Sequence, residues 1–457
     1  MSSNLKIREF RQNTAAAVQD LGLRTAMQKA TDTFTEKRTK GTASVPMEVW
    51  RDQASEIREK VLNSLPAYLD QFSASATEAG AVVHRAGDAQ TAREIVYSVL
   101  KDRGANRIVK AKSMVTEEIR LNRYLQDRGL RVVETDLGQY IVQLADEPPS
   151  HILAPAIHKD RRQVGLLFAE KHGADYSEDP QVLTGIARNV LREEFFAADA
   201  GISGANFAVA DSGSLVLFTN EGNGRMVTTL PPLHIAVLTV EKIIPSLSDL
   251  APFIRLLPRS ATGQSMSSYL SIITGARKHG EVTGARELHI VLLDNGRSDI
   301  LQGEYRDILK CIRCSACINV CPVYRVVGGH AYKSTYPGPM GIVLTTLLEG
   351  MPAAHPLLDA STLCGHCVDV CPVQVPLVEL ILSLRERRAR EGFTPAIERS
   401  AMSAFGWAVA SPALFACGQT LSRFFWPVMT RLSEWGTPNG LPRPAKDTFR
   451  CRMSRGR

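Results

Sequence analysis

Several familiar sequence signatures are missing from this sequence, and each absence argues against one class of function or location. No uninterrupted apolar run reaches about eighteen residues, so we expect no transmembrane segment. Neither a P-loop lysine nor a G-x-G-x-x-G fingerprint occurs, which argues against a nucleotide site. The net charge is +7, but no basic segment is interleaved with aromatic residues, so no nucleic acid partner is expected. No secretory signal opens the chain, and this favours a reducing, cytoplasmic location.

The apolar stretch that comes closest to a membrane span covers residues 401–429. Pro412, Gln419 and Arg423 interrupt it. We therefore expect a packed helical hairpin, with a partner-facing or membrane-facing aromatic surface as the alternative. Past Trp435 the chain is rich in Pro and Arg and is expected to be disordered. The basic excess around these segments is interpreted as a solvated face and a frayed tail.

Cysteines are concentrated in one part of the chain, where seven of the nine fall into two short runs. The first run is Cys311, Cys314, Cys317 and Cys321, followed by Pro322, and the second is Cys364, Cys367 and Cys371, followed by Pro372. This C-x-x-C-x-x-C-x-x-x-C-P spacing is typical of bacterial ferredoxins. There, three close thiolates bind one cubane and the fourth, before Pro, ligates the other cluster.

Crossed ligation of this kind predicts two iron–sulfur clusters. Cluster 1 takes Cys311, Cys314, Cys317 and Cys371, and cluster 2 takes Cys321, Cys364 and Cys367. Ser361 stands where a full copy of the first run would have another cysteine. Cluster 2 is therefore either a [4Fe–4S] cube with a non-cysteine or open fourth site, or a [3Fe–4S] cluster.

Two other uses of these cysteines are less consistent with the pattern. Structural zinc sites also use C-x-x-C pairs, but they need neither a third C-x-x-C step nor a trailing Cys-Pro. A disulfide framework suits small secreted domains, and this chain has 457 residues. Cys417 and Cys451 lie outside both runs and are expected to be incidental.

The rest of the pattern predicts an α/β fold followed by a mainly α region. Residues 1–75 are expected to form a helical arm with Ile57, Val61, Leu62, Leu65 and Leu69 on one face. Residues 76–300 alternate strands and helices, as in a helix-covered parallel sheet. Residues 301–392 form the cysteine domain, and residues 393–457 a helical region with a basic tail. The predicted strands cover residues 81–84, 107–110, 130–134, 206–210, 215–218 and 287–294, and the predicted helices cover residues 89–101, 117–128, 342–349 and 377–390.

Two glycine-rich turns, at residues 211–214 and 220–225, are the candidates for ligand binding. Turns at the strand ends of an α/β sheet can present backbone N–H groups to an anion, although plain hairpin turns have the same composition. Arg225 and residues 220–224 are candidates for holding a carboxylate. His234 and His289 are candidate bases, with a purely structural role as the alternative for each.

These features together resemble the iron–sulfur subunit of bacterial lactate utilization systems (LutB type). The resemblance rests on ADSGSLVLFTNEGNGRMVTTLPPLHIAV, RELHIVLLDNGRS, CIRCSACINVCPVYRVVGGHAY, YPGPMG and LCGHCVDVCPV, and it covers nearly the whole chain. It implies a NagB/RpiA/CoA-transferase-like α/β domain joined to a helical dicluster ferredoxin domain. The family pattern also has three cysteines in its second run, so both clusters are implied to be [4Fe–4S].

The same resemblance implies a role in oxidising L-lactate to pyruvate with two partners. One is a cysteine-rich subunit similar to heterodisulfide reductase, and the other is a small protein of the same α/β type. The active site could then lie in the partners, which leaves open whether this chain is itself the enzyme. The alternative is a relay or scaffold subunit for a glycolate or glycerol-3-phosphate dehydrogenase, although such relay subunits generally lack the α/β domain.

Overall fold

The computed structural model describes residues 9–432 and residue 453. The predicted disorder after Trp435 and the prediction for Cys451 lie outside these residues. Contacts divide the chain into two compact units, with the division between Arg385 and Glu386. The α/β region and both cysteine runs belong to the first unit.

The chain opens with a helical arm. Its helices are α1 (Phe10–Gln19), α2 (Leu21–Thr42), α3 (Met47–Asn63) and α4 (Leu65–Glu78). The Asp20 carboxylate caps α2 by accepting the backbone N–H of Leu23, which supplies one of the acceptors that a helix N-terminus lacks. Of the predicted apolar face, Val61, Leu62 and Leu65 are buried, so this face packs on the rest of the chain.

Within the described residues, ten strands follow the arm and form two sheets. They are β1 (Val82–Ala86), β2 (Arg107–Lys110), β3 (Arg131–Glu134), β4 (Ala200–Ser203), β5 (Phe207–Val209), β6 (Ser214–Thr219), β7 (Leu233–Thr239), β8 (Ile243–Ile244), β9 (Tyr269–Ile273) and β10 (Glu287–Leu293). Six of them form a sheet of order β1-β10-β7-β4-β2-β3, in which every pair is parallel. The prediction of a parallel α/β domain is confirmed.

Strand β7 shows why this sheet is buried on both faces. Successive side chains of a strand point to opposite faces. Ile235 and Val237 accordingly join one apolar cluster, with the helices after β1 and β2. Ala236 and Leu238 join another, with the arm and the second sheet. Apolar residues at consecutive positions are what a strand covered on both sides requires.

The strand order creates a switch point between β2 and β4, which are neighbours. From β2 the chain goes on to β3 at the sheet edge, whereas the strand of this sheet that follows β4 is β7, on the opposite side. The connections therefore leave the two strands in opposite directions. A crevice opens at such a point beyond the carboxyl ends of the strands, and it is the usual ligand site of open α/β sheets.

The second sheet has the order β8-β5-β6-β9. The sequence predicted β5 and β6 as strands but neither this separate sheet nor β8 and β9. Residues 211–214 connect β5 to β6, which pair antiparallel, so the first glycine-rich turn is a plain hairpin turn. Gly213 has φ +66°, and a Cβ there would lie 2.3 Å from the backbone nitrogen of Ala76 in α4. Glycine is thus needed for packing.

Nine helices of the described chain belong to the α/β region. They are α5 (Ala89–Asp102), α6 (Met114–Glu118), α7 (Leu121–Gln126), α8 (Leu137–Leu144), α9 (Arg161–His172), α10 (Pro180–Phe196), α11 (Asn223–Thr229), α12 (Ala251–Thr262) and α13 (Arg297–Gln302). The single helix predicted at residues 117–128 was wrong, because Arg120 has φ 51° and separates α6 from α7. The break lets Ile119 and Leu121 both reach the apolar core.

The cysteine region is helical, as predicted. Its helices are α14 (Ala316–Asn319), α15 (Pro322–Val327), α16 (Gly338–Glu349), α17 (Met351–Ala354), α18 (His366–Asp369) and α19 (Leu377–Arg390). Between residues 311 and 390, all of them described, no strand occurs. Short helices joined by loops leave the cysteines on turns, where closely spaced thiols can converge.

Two further helices, α20 (Ala396–Ala410) and α21 (Pro412–Leu432), form most of the described part of the second unit. Helix α20 buries none of its side chains, and Phe405 and Trp407 are exposed. Two helices are thus present, but α20 lacks the packing that was predicted for the hairpin, and its aromatic side chains Phe405 and Trp407 are uncovered. Among the described residues no single helix is both long and apolar enough to cross a membrane. One bent pair, Ala396–Ala410 with Pro412–Gln419, meets that test only jointly, across a 114° bend.

Candidate functional site

The first group of thiols brings together residues far apart in sequence. Cys311, Cys314 and Cys317 lie on the loop before α14 and in its first turn, and Cys371 follows α18. All four line one small cavity. Burial raises the pKa of the Cys317 thiol well above its usual range, and the other three thiols raise it further. The grouping is the one that crossed ligation expects for cluster 1.

The second group contains Cys321, Cys364 and Cys367. Burial raises the pKa of the Cys367 thiol to about 12, with further contributions from the other two. Cys364 is exposed, so this group reaches the surface of the chain. Ser361 lies on the preceding loop, where its hydroxyl accepts the backbone N–H of Leu363 at 3.2 Å.

The residues around both groups fit iron–sulfur clusters. Crowded, buried thiols are poor thiolates on their own, and bound metal supplies the positive charge that stabilises the deprotonated form. Tyr332 is fully buried next to Cys317 and Cys321, and its hydroxyl has no hydrogen-bond partner among the described residues. A buried hydroxyl without an acceptor is costly, and cluster sulfur between the two groups would provide one. The assignment of individual ligands stays a prediction.

The helical arm contributes polar contacts that the sequence did not reveal. Arg51 of α3 donates to the carbonyl of Cys371 at 2.9 Å. Arg58 is buried, and it donates to the carbonyls of Ile243 at 2.9 Å and Leu309 at 2.8 Å. Burial lowers the pKa of Arg58 to about 10, so it is charged at neutral pH. One side chain thus joins the arm, strand β8 and the segment before the first cysteine.

A buried ion network connects the α/β region to the loop that carries the first cysteines. Arg297 pairs with Glu118 at 2.7 Å and with Glu241 at 3.0 Å. Glu241 also pairs with Arg313, at 3.2 Å, and Tyr336 donates to Glu118 at 2.7 Å. Burial alone would raise the pKa of Glu241, but Arg297 and Arg313 lower it to about 2. The network therefore stays ionised at neutral pH.

A cavity of about 330 Å³ lies at the switch point of the parallel sheet. It is built from residues just beyond strand ends: Lys112 and Ser113 after β2, Asp136 after β3, Gly204 to Asn206 after β4, and Lys242 after β7. The turn after β6 adds Asn220, Glu221, Asn223 and Gly224, and the cysteine region adds Arg313 and Tyr336. Because Arg313 lies between Cys311 and Cys314, this cavity adjoins the first thiol group.

The charged side chains of the cavity wall are three cations, Lys112, Lys242 and Arg313, and two carboxylates, Asp136 and Glu221. Lys242 donates to the carbonyl of Ala205 at 2.8 Å, and Lys112 donates to the carbonyl of Ile152. Burial lowers the pKa of Lys242 to about 8, against a smaller raising effect of Glu241. The pKa of Lys112 is also lowered by burial.

The sequence-based candidates fare differently. Residues 220, 221, 223 and 224 line the cavity, and the second glycine-rich turn leads into α11 rather than a hairpin. Its role in ligand binding stays a prediction. Arg225 is exposed and is not part of the wall. The sequence did not identify Lys112 and Lys242 as cavity residues, because a lysine just beyond a strand has no distinctive signal in a single sequence.

Neither candidate base lies in the cavity. His234 is buried near the start of β7, away from the carboxyl end, and contacts the hydroxyl of Ser203 at 2.8 Å. Burial lowers the pKa of His234 to about 4. His289 contacts His84 at 3.0 Å across the pair β1–β10. The structure therefore gives no support for a base in this cavity at either position, and the role of each histidine stays a prediction.

Comparison with known proteins places these features in a family. Residues 69–293 match the LUD domain, and residues 307–375 match the 4Fe-4S dicluster domain. "Lactate utilization protein B" of Shouchella clausii is 45% identical, covering 96% of this chain and 95% of that protein. The protein of the same name from Bacillus subtilis is 42% identical with the same coverage. "Uncharacterized electron transport protein YkgF" of Escherichia coli is 45% identical over 88% of this chain and 87% of its own.

One solved structure is also similar, a duf162 family protein from Deinococcus radiodurans. It is 14% identical and covers 50% of this chain and 98% of its own. The TM-score of 0.30 is too low to establish a shared fold.

Proposed function

This chain belongs to the lactate utilization protein B family, and we propose that it is the iron–sulfur electron-transfer subunit of a complex that oxidises L-lactate to pyruvate. The observation that carries the proposal is the placement of the two thiol groups. One adjoins a cation-rich cavity at the switch point of the sheet, and the other reaches the surface at Cys364.

In this proposal the chain holds two [4Fe–4S] clusters. Cys311, Cys314, Cys317 and Cys371 hold the first, and Cys321, Cys364 and Cys367 hold the second, with a [3Fe–4S] cluster as the alternative there. The bound clusters supply one-electron transfer. The protein buries Cys314 and Cys371 of the first group, and Tyr332 lies beside both groups. Burial and hydrogen bonds to sulfur are the means by which a protein sets cluster potentials.

Lactate oxidation removes two electrons and two protons, so two one-electron carriers in series suit the reaction. Electrons released near the cavity would enter through the first cluster and leave through the second, at the exposed Cys364. The proposed partners are the cysteine-rich subunit similar to heterodisulfide reductase and the small LUD-domain protein, acting with this chain in the cytoplasm. The exposed aromatic side chains of α20 are available for contact with such partners.

Growth of a deletion strain on single carbon sources tests this role. We expect loss of growth on L-lactate and normal growth on glycolate and glycerol 3-phosphate, with growth restored by the intact gene. Normal growth on L-lactate without a redundant enzyme would refute the proposal. Loss of growth on glycolate or glycerol 3-phosphate instead would favour the alternative, a relay for another dehydrogenase.

Reduction of the clusters provides the biochemical counterpart. The reconstituted complex is given L-lactate anaerobically, and the cluster signals are followed by EPR, with D-lactate as the control. Reduction by L-lactate supports the relay, and clusters that stay oxidised contradict it. Iron content and EPR of the purified chain distinguish a full second cube from a [3Fe–4S] cluster.

A further inference from the structure

We propose that the cavity at the switch point binds a small 2-hydroxy or 2-oxo acid, whose carboxylate is held by Lys112, Lys242 and Arg313. The inference rests on the proposed function for the choice of acid, and on the geometry for the site. The proposed substrate site thus lies between the LUD region and the first thiol group.

The position of the cavity supports a ligand site. Residues that follow the carboxyl ends of four neighbouring strands, β7, β4, β2 and β3, line it. Open α/β sheets bind their ligands at this edge. Its volume of about 330 Å³ is near the lower end of the ~300–1,000 Å³ typical of small-molecule sites. A three-carbon acid with a few waters fits this space, whereas a dinucleotide does not.

The charges of the wall point to an anionic ligand. Arg313 is a strong candidate because its side chain is only 9% exposed and its Nη1 has no hydrogen-bond partner within residues 9–432. A guanidinium presents paired donors that match a carboxylate. Each lysine uses one donor on a backbone carbonyl, and an ammonium has three. Donors therefore remain on all three cations.

Two carboxylates of the wall suit the second oxygen of the ligand. Asp136 and Glu221 both line the cavity. An ionised carboxylate only accepts hydrogen bonds, so it can bind the 2-hydroxyl as donor. Partial burial, with the nearby Asp136, raises the pKa of Glu221. This arrangement favours acids that are oxygenated at carbon 2 over plain monocarboxylates.

A larger cavity nearby offers the competing location. It has a volume of about 880 Å³ and lies on the other side of the Glu221–Asn223 turn, against α10. Its wall includes Arg188 and Arg192, but most of it is apolar, with Phe195, Phe196 and Met226. Arg192 is exposed and lies over the Phe196 ring. A small charged acid is better matched to the first cavity.

Isothermal titration of the full, cluster-loaded chain under anaerobic conditions tests the site. The probes are L-lactate, pyruvate, propionate, which lacks the second oxygen, and lactamide, which lacks the charge. The variants are Lys242→Gln and Lys112→Gln, in which the amide can still donate to the backbone carbonyl, with Arg192→Gln as the matched control in the larger cavity. Iron content and visible absorption show that each variant is folded and loaded.

We expect L-lactate and pyruvate to bind, propionate to bind more weakly and lactamide not to bind. Each lysine variant should weaken L-lactate by ~10- to 100-fold, the effect of losing a charge-assisted hydrogen bond, and Arg192→Gln should leave it unchanged. Wild-type affinity in both lysine variants, equal binding of lactamide, or loss of binding in Arg192→Gln would overturn the assignment.

The outcome is separable from that of the relay. Binding of L-lactate by the chain, with normal growth of the deletion strain on L-lactate, would refute the relay and leave the site standing. Loss of growth with no binding by the loaded chain would refute the site and leave the relay standing.

Discussion

Replacing Arg297 by Met tests the buried network that connects the two regions of the first unit. The Arg297 side chain is fully buried, and its two carboxylate partners, Glu118 and Glu241, are 7% and 1% exposed. Removing one member of a buried ion group leaves charges without compensation, which costs ~3–5 kcal/mol. Glu241 keeps Arg313, and Glu118 keeps the Tyr336 hydroxyl, so we expect the lower end of this range.

Because a cluster protein unfolds irreversibly, the quantity to measure is a rate. If about half of a loss of ~3 kcal/mol appears in the unfolding barrier, unfolding should accelerate by roughly tenfold, at about tenfold per 1.4 kcal/mol. The assay is loss of cluster absorbance in a fixed concentration of urea, under anaerobic conditions.

Arg123→Met is the matched control for that experiment. Arg123 pairs with Asp127 at 2.9 Å, but both side chains are mostly exposed. Such a pair contributes ~0.3–0.5 kcal/mol, so the rate should change by less than about threefold. Equal rates in Arg297→Met and the control would refute the reasoning that this network stabilises the contact between the two regions.

Three further predictions concern the clusters and the cavity. Affinity for L-lactate should be constant below pH ~8 and should fall above it, by up to about tenfold per pH unit, because Lys242, with a pKa of about 8, loses its charge as the pH rises. Titration calorimetry from pH 7 to pH ~9.5 checks this prediction, and an affinity that does not change with pH contradicts it. The charged groups that act on Lys242 are Glu241, Arg313, Arg297 and Cys311. Tyr332→Phe should lower the midpoint potential of one cluster by ~20–65 mV, the equivalent of a hydrogen bond of ~0.5–1.5 kcal/mol, because the hydroxyl stabilises the more negative, reduced cluster. In an EPR-monitored redox titration, unshifted potentials at full iron content would count against a contact between the hydroxyl and cluster sulfur. Cys371→Ala and Cys364→Ala should remove different EPR signals, since crossed ligation assigns them to different clusters, and loss of the same signal in both would mean that ligation is not crossed.

The sequence was sufficient for features that depend on local spacing. The cysteine runs, the helix at residues 377–390 and the buried strand at residues 287–293 follow from short patterns. The break at Arg120 did not, because it depends on how Ile119 and Leu121 meet a sheet that is assembled from distant segments.

Contacts between residues far apart in the chain could not be predicted either, because they too depend on how distant segments assemble. Lys112 and Lys242 line the same cavity because β2, β4 and β7 are neighbours in the sheet. The spacing of apolar residues predicts single strands, but it does not predict their order in a sheet. Arg58 is one of many basic residues in a polar arm, and only the folded chain shows that it is buried against backbone carbonyls. The parallel α/β class could therefore be predicted, whereas the wall of the cavity could not.

The contact between Arg51 and the carbonyl of Cys371 has a consequence for biogenesis. The two residues are 320 positions apart, so a ribosome makes the arm long before its docking surface exists. The first thiol group is also incomplete until Cys371 has been synthesised. The contact of Arg51 with the Cys371 carbonyl therefore forms only after the whole cysteine region has emerged.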